Sequence, residues 1–137
     1  MPGFMFARLV VLMSLALPCL GASFVFAGEI VAIGEILKSP ENYAFHNVTL
    51  KGTARQVKTL GKVQGKMCVY ENPYTFLLDD GTGVMEVEVA GTCIGRGKAT
   101  VVEEGQHVIV DAHISRFTSG ASTHTVKGYA AEVRVVK

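Results

Sequence analysis

The stretch Tyr74–Val89, YTFLLDDGTGVMEVEV, decides the fold. Two apolar-rich runs flank Asp80-Gly81-Thr82-Gly83. Glycines admit the positive φ angles of a tight reversal, and the short side chain of an aspartate can hydrogen-bond the turn backbone. After the turn the chain alternates, with Met85, Val87 and Val89 on one face and Val84, Glu86 and Glu88 on the other. That is the period of a half-buried strand. Before the turn, Tyr74, Phe76 and Leu78 are expected inward and Thr75, Leu77 and Asp79 outward. The stretch reads as a β-hairpin.

Upstream, Met1–Ala27 reads as an export signal. Arg8 supplies the positive charge, Leu9–Leu20 the apolar segment, and Val25-Phe26-Ala27 a small-x-small cleavage site before Gly28. The alternative is a retained membrane anchor, since the apolar run is nearly long enough to span a thinned bilayer. Pro18, Gly21 and Ser23 fall where the polar end of a cleaved signal belongs, so cleavage is expected, with no stable membrane insertion afterwards. A lipid anchor on Cys19 is disfavoured by Pro18 immediately before it. The expected organisation is a signal peptide at 1–27 and one domain at 28–137, in the periplasm or secreted.

Removing those 27 residues from 137 leaves 110, and takes one charge, Arg8. The 13 basic residues become 12, against 12 acidic ones. A neutral domain lacks the basic excess expected of a nucleic-acid binder, although a local basic patch stays open. Of the three cysteines, Cys68 and Cys93 remain, an even count that favours a disulfide in an exported domain. With the hairpin in register about Gly81-Thr82, Tyr70 faces Cys93 and Cys68 lies one same-face step away, an offset that a bulge or irregular backbone near Pro73 can absorb. Two free thiols or half of a metal site are the alternatives; zinc sites, however, usually show close Cys or His pairs, and none stands here.

The rest of the domain frames the hairpin. Ile30, Ile33, Ile36 and Leu37 recur at helical spacing until Ser39-Pro40, which predicts a short helix plugging one end of the sheet. Val48–Val57 is a strand with Val48, Leu50, Gly52 and Ala54 on one face and Thr49, Lys51, Thr53 and Arg55 on the other. Small residues at Gly52 and Ala54 suit a bend or the close approach of another backbone. Lys58–Lys66 is a basic loop or loose β-excursion, and Gly91–Glu104 an irregular link with a second basic pair, Arg96 and Lys98. Thr100–Glu103 is expected as a short strand or a turn of helix. Gly105–Ile114 is a strand with Val108, Val110, Ala112 and Ile114 inward. Arg116–Thr123 is expected to be a flexible tip. His124–Val136 is a last strand, kinked near Gly128, with Ala131, Val133 and Val135 inward.

Five such strands and a short N-terminal helix predict an all-β protein, a small closed or nearly closed five-stranded barrel, which removes exposed edges. Val48-x-Leu50-x-Gly52, Phe76-x-Leu78-x-Asp80-x-Thr82-Gly83 and Gly105-x-x-Val108-x-Val110 together resemble the OB-fold. The Ser39-Pro40-Glu41-Asn42-Tyr43 segment before the first strand is similar to exported bacterial OB-fold proteins of the anticodon-binding-like, nucleic-acid-binding type. The resemblance implies Greek-key strand order and a ligand lying across the second and third barrel strands, flanked by the loops after strands one and four. Carried onto this chain, the first loop is Lys58, Lys62 and Lys66, and the second is Arg116, Phe117 and the Ser-Gly-Ala-Ser tip. The face is Thr75, Leu77, Glu86 and Glu88, with Thr49, Lys51 and Arg55 from strand one.

Single-stranded nucleic acid is the partner implied, but it needs aromatics for bases to stack on. Tyr74 and Phe76 are expected inward, which leaves Phe117 and Tyr70, while Glu86 and Glu88 repel phosphate. The alternative is a periplasmic module for a protein or small polar ligand, with Leu77, Ile109 and Val84 as an apolar patch. Neither a metal nor a cofactor is expected. His107 and His113 share a face but stand about 20 Å apart on an extended strand. The exported haem chaperone of cytochrome c maturation, also an OB-fold, carries a His-x-x-x-Tyr segment after its barrel; His124 and Tyr129 are spaced one residue wider and lie within the last predicted strand. No nucleophile-and-base constellation is present, and Asp79 and Asp80 belong to the turn, so no enzymatic role is expected.

Overall fold

The computed structural model describes residues 29–97, 101–119 and 123–137. The expected leader, Cys19, Lys98 and the centre of the Ser-Gly-Ala-Ser tip lie outside the described residues. Among the described residues eight strands follow a short helix, α1 (Ile33–Lys38), and a 3-10 turn at Pro40–Asn42. They are β1 (Asn47–Thr59), β2 (Val63–Gln64), β3 (Val69–Glu71), β4 (Tyr74–Asp79), β5 (Val84–Val89), β6 (Thr92–Cys93), β7 (His107–Ser119) and β8 (Thr123–Val135). Five of them close a barrel in the order β1-β4-β5-β8-β7, and β2-β3-β6 form a separate small sheet. The pair β5 and β8 is parallel and the other barrel pairs are antiparallel.

The hairpin stands as read. Tyr74 pairs with Val89 and Asp79 with Val84, in unbroken register. Tyr74, Phe76, Leu78, Met85 and Val87 are buried, and with Leu50, Ala54, Val108, Val110, Ala112 and Ile114 they fill the barrel. The 13-residue β1 pairs with β7 through its first half and β4 through its second. Gly52 permits that curl, because a Cβ there would come within 2.6 Å of the Asp79 carbonyl oxygen. A bulge follows between Arg55 and Lys58, where Gln56 takes a positive φ of 51°. Its exposed N–H and that of Val57 donate to the two Glu104 carboxylate oxygens, at 3.0 and 3.2 Å.

The register of the hairpin runs on past its open end to Tyr70–Cys93. Asn72 and Gly91, both at positive φ, bend the two strands away from the barrel together. The chain thus leaves the barrel and begins the small sheet without losing register. Cys68 reaches Cys93 diagonally, with 5.6 Å between their Cα atoms, and the disulfide is formed.

Both ends of the barrel are plugged. At one end α1 buries Ile33 and Ile36 completely. The short helix forms as expected but starts at Ile33, not Ile30. Ile30 instead forms a parallel bridge with Thr49 and is exposed, as is Leu37. Ala32, at the helix start, has no side-chain cap of its own. The cap comes from the hairpin turn: the Ile33 N–H donates to Asp80 Oδ2 at 2.7 Å and the Gly34 N–H to Thr82 Oγ1 at 2.9 Å. At the other end Val102 is buried beside Tyr74. Residues 101–103 form neither the strand nor the helical turn expected, because Val102 docks as a single apolar anchor while Val101 and Glu103 stay exposed. Burial pushes the Tyr74 hydroxyl above its ordinary pKa, partly offset by a hydrogen bond with the Val102 backbone.

Two sequence expectations fail in β7 and β8. Arg116 and Phe117 are not in a flexible tip: they pair with Val126 and Thr125, and the two strands form a long arm that outruns the barrel. Ala131 is not inward. Asp111 faces Glu132 and Ala112 faces Ala130, so Ala131 is the extra residue of a bulge and is exposed. A one-residue bulge reverses which side chains face in, so Gly128 and Ala130 line the core side before it and Val133 and Val135 after it.

Asp80 accepts from Ile33, Thr82 and Gly83, and from the Thr82 hydroxyl. Burial raises its pKa, but the hydrogen bond from the Thr82 hydroxyl, then those from the backbone N–H groups, outweigh that and leave it below the ordinary value. A lowered folded pKa adds stability above the unfolded pKa and loses it as pH falls through the folded one. Asp80→Ala is expected to cost about 2 kcal/mol in urea unfolding at neutral pH, with the difference from wild type shrinking below about pH 4. Replacing Cys68 and Cys93 by serine is expected to cost about 3 kcal/mol in the same assay.

Candidate functional site

The outer surface of the barrel is set by cross-strand rows. One row reads Arg55, Leu77, Glu86, Lys127, from β1 through β4 and β5 to β8. The next reads Lys58, Thr75, Glu88, Tyr129, His113 and passes from β7 to Asn47 at the start of β1. Of the residues the sequence singled out, Arg55, Lys58, Thr75 and Leu77 therefore stand together. Lys51 stands on another part of the barrel, opposite Ile109, and Lys62 and Lys66 are on the small sheet. Phe117 is exposed on the arm, whereas Arg116 is half-buried there. The patch of Leu77 with Ile109 does not form: Ile109 lies beyond β1, between Lys51 and Arg134, and Leu77 is half-buried between Arg55 and Glu86.

The two glutamates do not stand bare. Lys127 Nζ lies 2.6 Å from Glu86 Oε1 and 3.4 Å from Glu88 Oε2. The hydrogen bond to Glu86 is the main cause that raises the Lys127 pKa; partial burial lowers it, and the charges of Glu86 and Glu88 raise it further. Arg55 is likewise drawn to Asp79, at 3.1 Å. Beside Arg55 an open cleft of about 620 Å³ runs between β1 and the Ile30–Ala32 segment, and Lys51, Thr53, Asp79 and His107 also line it.

The aromatics expected to be missing are present, one strand further round. Tyr129 lies outward beside Glu88, and its ring meets Phe117 edge-on at 6.2 Å. His113, the cross-strand partner of Tyr129, meets Phe45 at 6.5 Å. Phe45 is 73% exposed. The four rings Phe45, His113, Tyr129 and Phe117 thus form a band along the outside of β7 and β8. Counting back from Val135 at strand period puts Tyr129 inward, which hid it in the sequence; the bulge at Ala131 turns it out. His107 is tied to Thr53 and lies far from this band in register. Among the described residues no cluster of His, Cys, Asp and Glu has the make-up of a metal site. No helix among them is long and apolar enough to cross a membrane.

The topology and the solved structures agree. The chain is similar to the second OB-fold domain of replication protein A from Methanococcus maripaludis, with a TM-score of 0.58 and 11% identity over 80% of this chain and 96% of that one. The barrel is an OB-fold. It is also similar to the aspartyl tRNA synthetase of Entamoeba histolytica, with a TM-score of 0.54 and 13% identity, over 98% of this chain but only 28% of that one. No family model and no curated protein matches the sequence. At these identities the likeness is one of fold.

Lys127 is the electrostatic pivot of the face. Its pKa is raised on folding, so its contribution is fully present at neutral pH and is lost only as pH climbs through the folded value. Lys127→Met leaves Glu86 and Glu88 without their shared cation, and is expected to cost about 1 kcal/mol in urea unfolding at pH 7. The cost should shrink as pH climbs through the raised Lys127 value, which the same unfolding assay at several alkaline pH values checks.

Proposed function

We propose that the protein is an exported, non-enzymatic OB-fold module that binds single-stranded nucleic acid along the outer face of β5, β8 and β7. The ring band of Phe45, His113, Tyr129 and Phe117 carries this reading. Bases stack on exposed rings at roughly 1–3 kcal/mol each, without regard to sequence. Lys58 and Arg55 flank the same rows and would meet phosphates, and Lys127 masks the glutamates that would repel them. Structural similarity to the replication protein A domain supports the same class of ligand. The signal-like Met1–Ala27 and the Cys68–Cys93 disulfide support export, because disulfides persist in oxidising compartments.

One observation favours a second reading, a protein or small polar ligand in the envelope. The domain has no basic excess, and its face is an alternation of paired charges rather than a cationic track.

Fluorescence anisotropy with a labelled single-stranded oligonucleotide separates the two. Binding is expected at low salt, weakening steeply as salt rises. Tyr129→Ala with Phe117→Ala should weaken it at least about tenfold at fixed salt. Absence of binding at low salt sinks the nucleic-acid reading and leaves the second.

A further inference from the structure

The small sheet β2-β3-β6 stands away from the ring band, and its apolar side chains have no role there. Met67 is 97% exposed, Ile94 50%, Leu60 47% and Val63 43%. These are large apolar groups on an element tied by a disulfide. The turn that carries Met67 is closed by the Gly65 N–H donating to the Cys68 carbonyl oxygen at 2.8 Å, and Cys68 is bonded to Cys93. The Ile94 N–H donates to the Val69 carbonyl oxygen at 3.0 Å, which fixes Ile94 beside the start of β3. Met67 and Ile94 therefore share the outer end of the sheet. Val63 is one step back, opposite Tyr70, and Leu60 stands at the base, its N–H donating to Pro73.

Cations alternate with these groups. Lys66 precedes Met67, Arg96 follows Ile94, and Lys62 precedes Val63; all three are exposed. The only acidic residue within these three strands is Glu71, 3.7 Å from Lys62. The tip is thus apolar at its extremity and basic at its shoulders. Water is a poor solvent for such an end, and a nucleic acid would occupy the cations but leave Met67, Val63 and Ile94 wet.

We propose that this tip docks on an anionic phospholipid bilayer. Met67, Ile94 and Val63 enter the boundary between headgroups and acyl chains, and Lys62, Lys66 and Arg96 meet the lipid phosphates. The disulfide keeps the tip ordered before contact, so little chain entropy is lost on docking. The bilayer is chosen over an acidic protein by charge complementarity joined to tip shape: the apolar groups sit at the point of a narrow sheet and spread over both its faces, not over one flat side.

The test is sedimentation of the full chain, disulfide formed, with phosphatidylcholine vesicles and with mixed phosphatidylcholine–phosphatidylglycerol vesicles. Stronger binding to the mixed vesicles is expected. Met67→Asp with Ile94→Asp should weaken it at least about tenfold, and Lys66→Gln about fivefold, while oligonucleotide binding by the Met67 and Ile94 variant stays unchanged. These positions are exposed, so unaltered thermal melting is expected and confirms that the variant is folded. Equal binding to both vesicle types, or equal binding of wild type and the Met67 and Ile94 variant, overturns the proposal; attachment through the apolar leader would give that result. Loss of oligonucleotide binding in the same variant also overturns it, by assigning the tip to nucleic acid.

Discussion

The Asp80 carboxylate joins two pieces of chain 47 residues apart. One oxygen holds the turn between β4 and β5 through Thr82 and Gly83, and the other holds the first N–H of α1. A six-residue helix is too short to be stable by itself, and this one starts without a capping side chain of its own. Asp80 and Thr82 supply the cap from outside, so the helix exists only where the hairpin turn is formed. Ile33 and Ile36 can then seal that end of the barrel. Glycine is required at Gly34 and eases a tight fit at Gly83. A Cβ on Gly34 would lie 2.8 Å from the Thr82 carbonyl oxygen, and one on Gly83 would press on Leu37 and Gly34. Turn, plug and core therefore form as one unit.

What was legible in the sequence follows from this. The hairpin, its register, the disulfide and the inward faces of β1 and β7 could be read, because strict alternation and one strong turn determine them locally. The long-range use of Asp80 could not. Its fitness for a turn was visible, but a cap for a distant helix has no local signature. The start of α1 could not be read for the same reason: apolar spacing includes Ile30, whereas the tertiary cap sets the start at Ile33. Ala131 hid most. No sequence signal marks a bulge at an alanine, and one bulge was enough to turn Tyr129 from core to surface.

That reversal changes what the face can do. With Tyr129 inward, the surface is two glutamates and scattered cations. With Tyr129 outward, it carries a band of four rings beside an ion triad. Lys127 is central to both descriptions, because its ammonium group lies between the carboxylates of Glu86 and Glu88. The pairs are half-exposed, so their worth lies less in stability than in cancelling a local field.

The small sheet and the β7–β8 arm are held by different bonds. The small sheet is tied by a disulfide and continues the hairpin register, whereas the β7–β8 arm is held only by its own ladder once it passes the barrel. The hairpin strands β4 and β5 run on in one register into β3 and β6, so the small sheet continues the barrel wall rather than forming a separate unit.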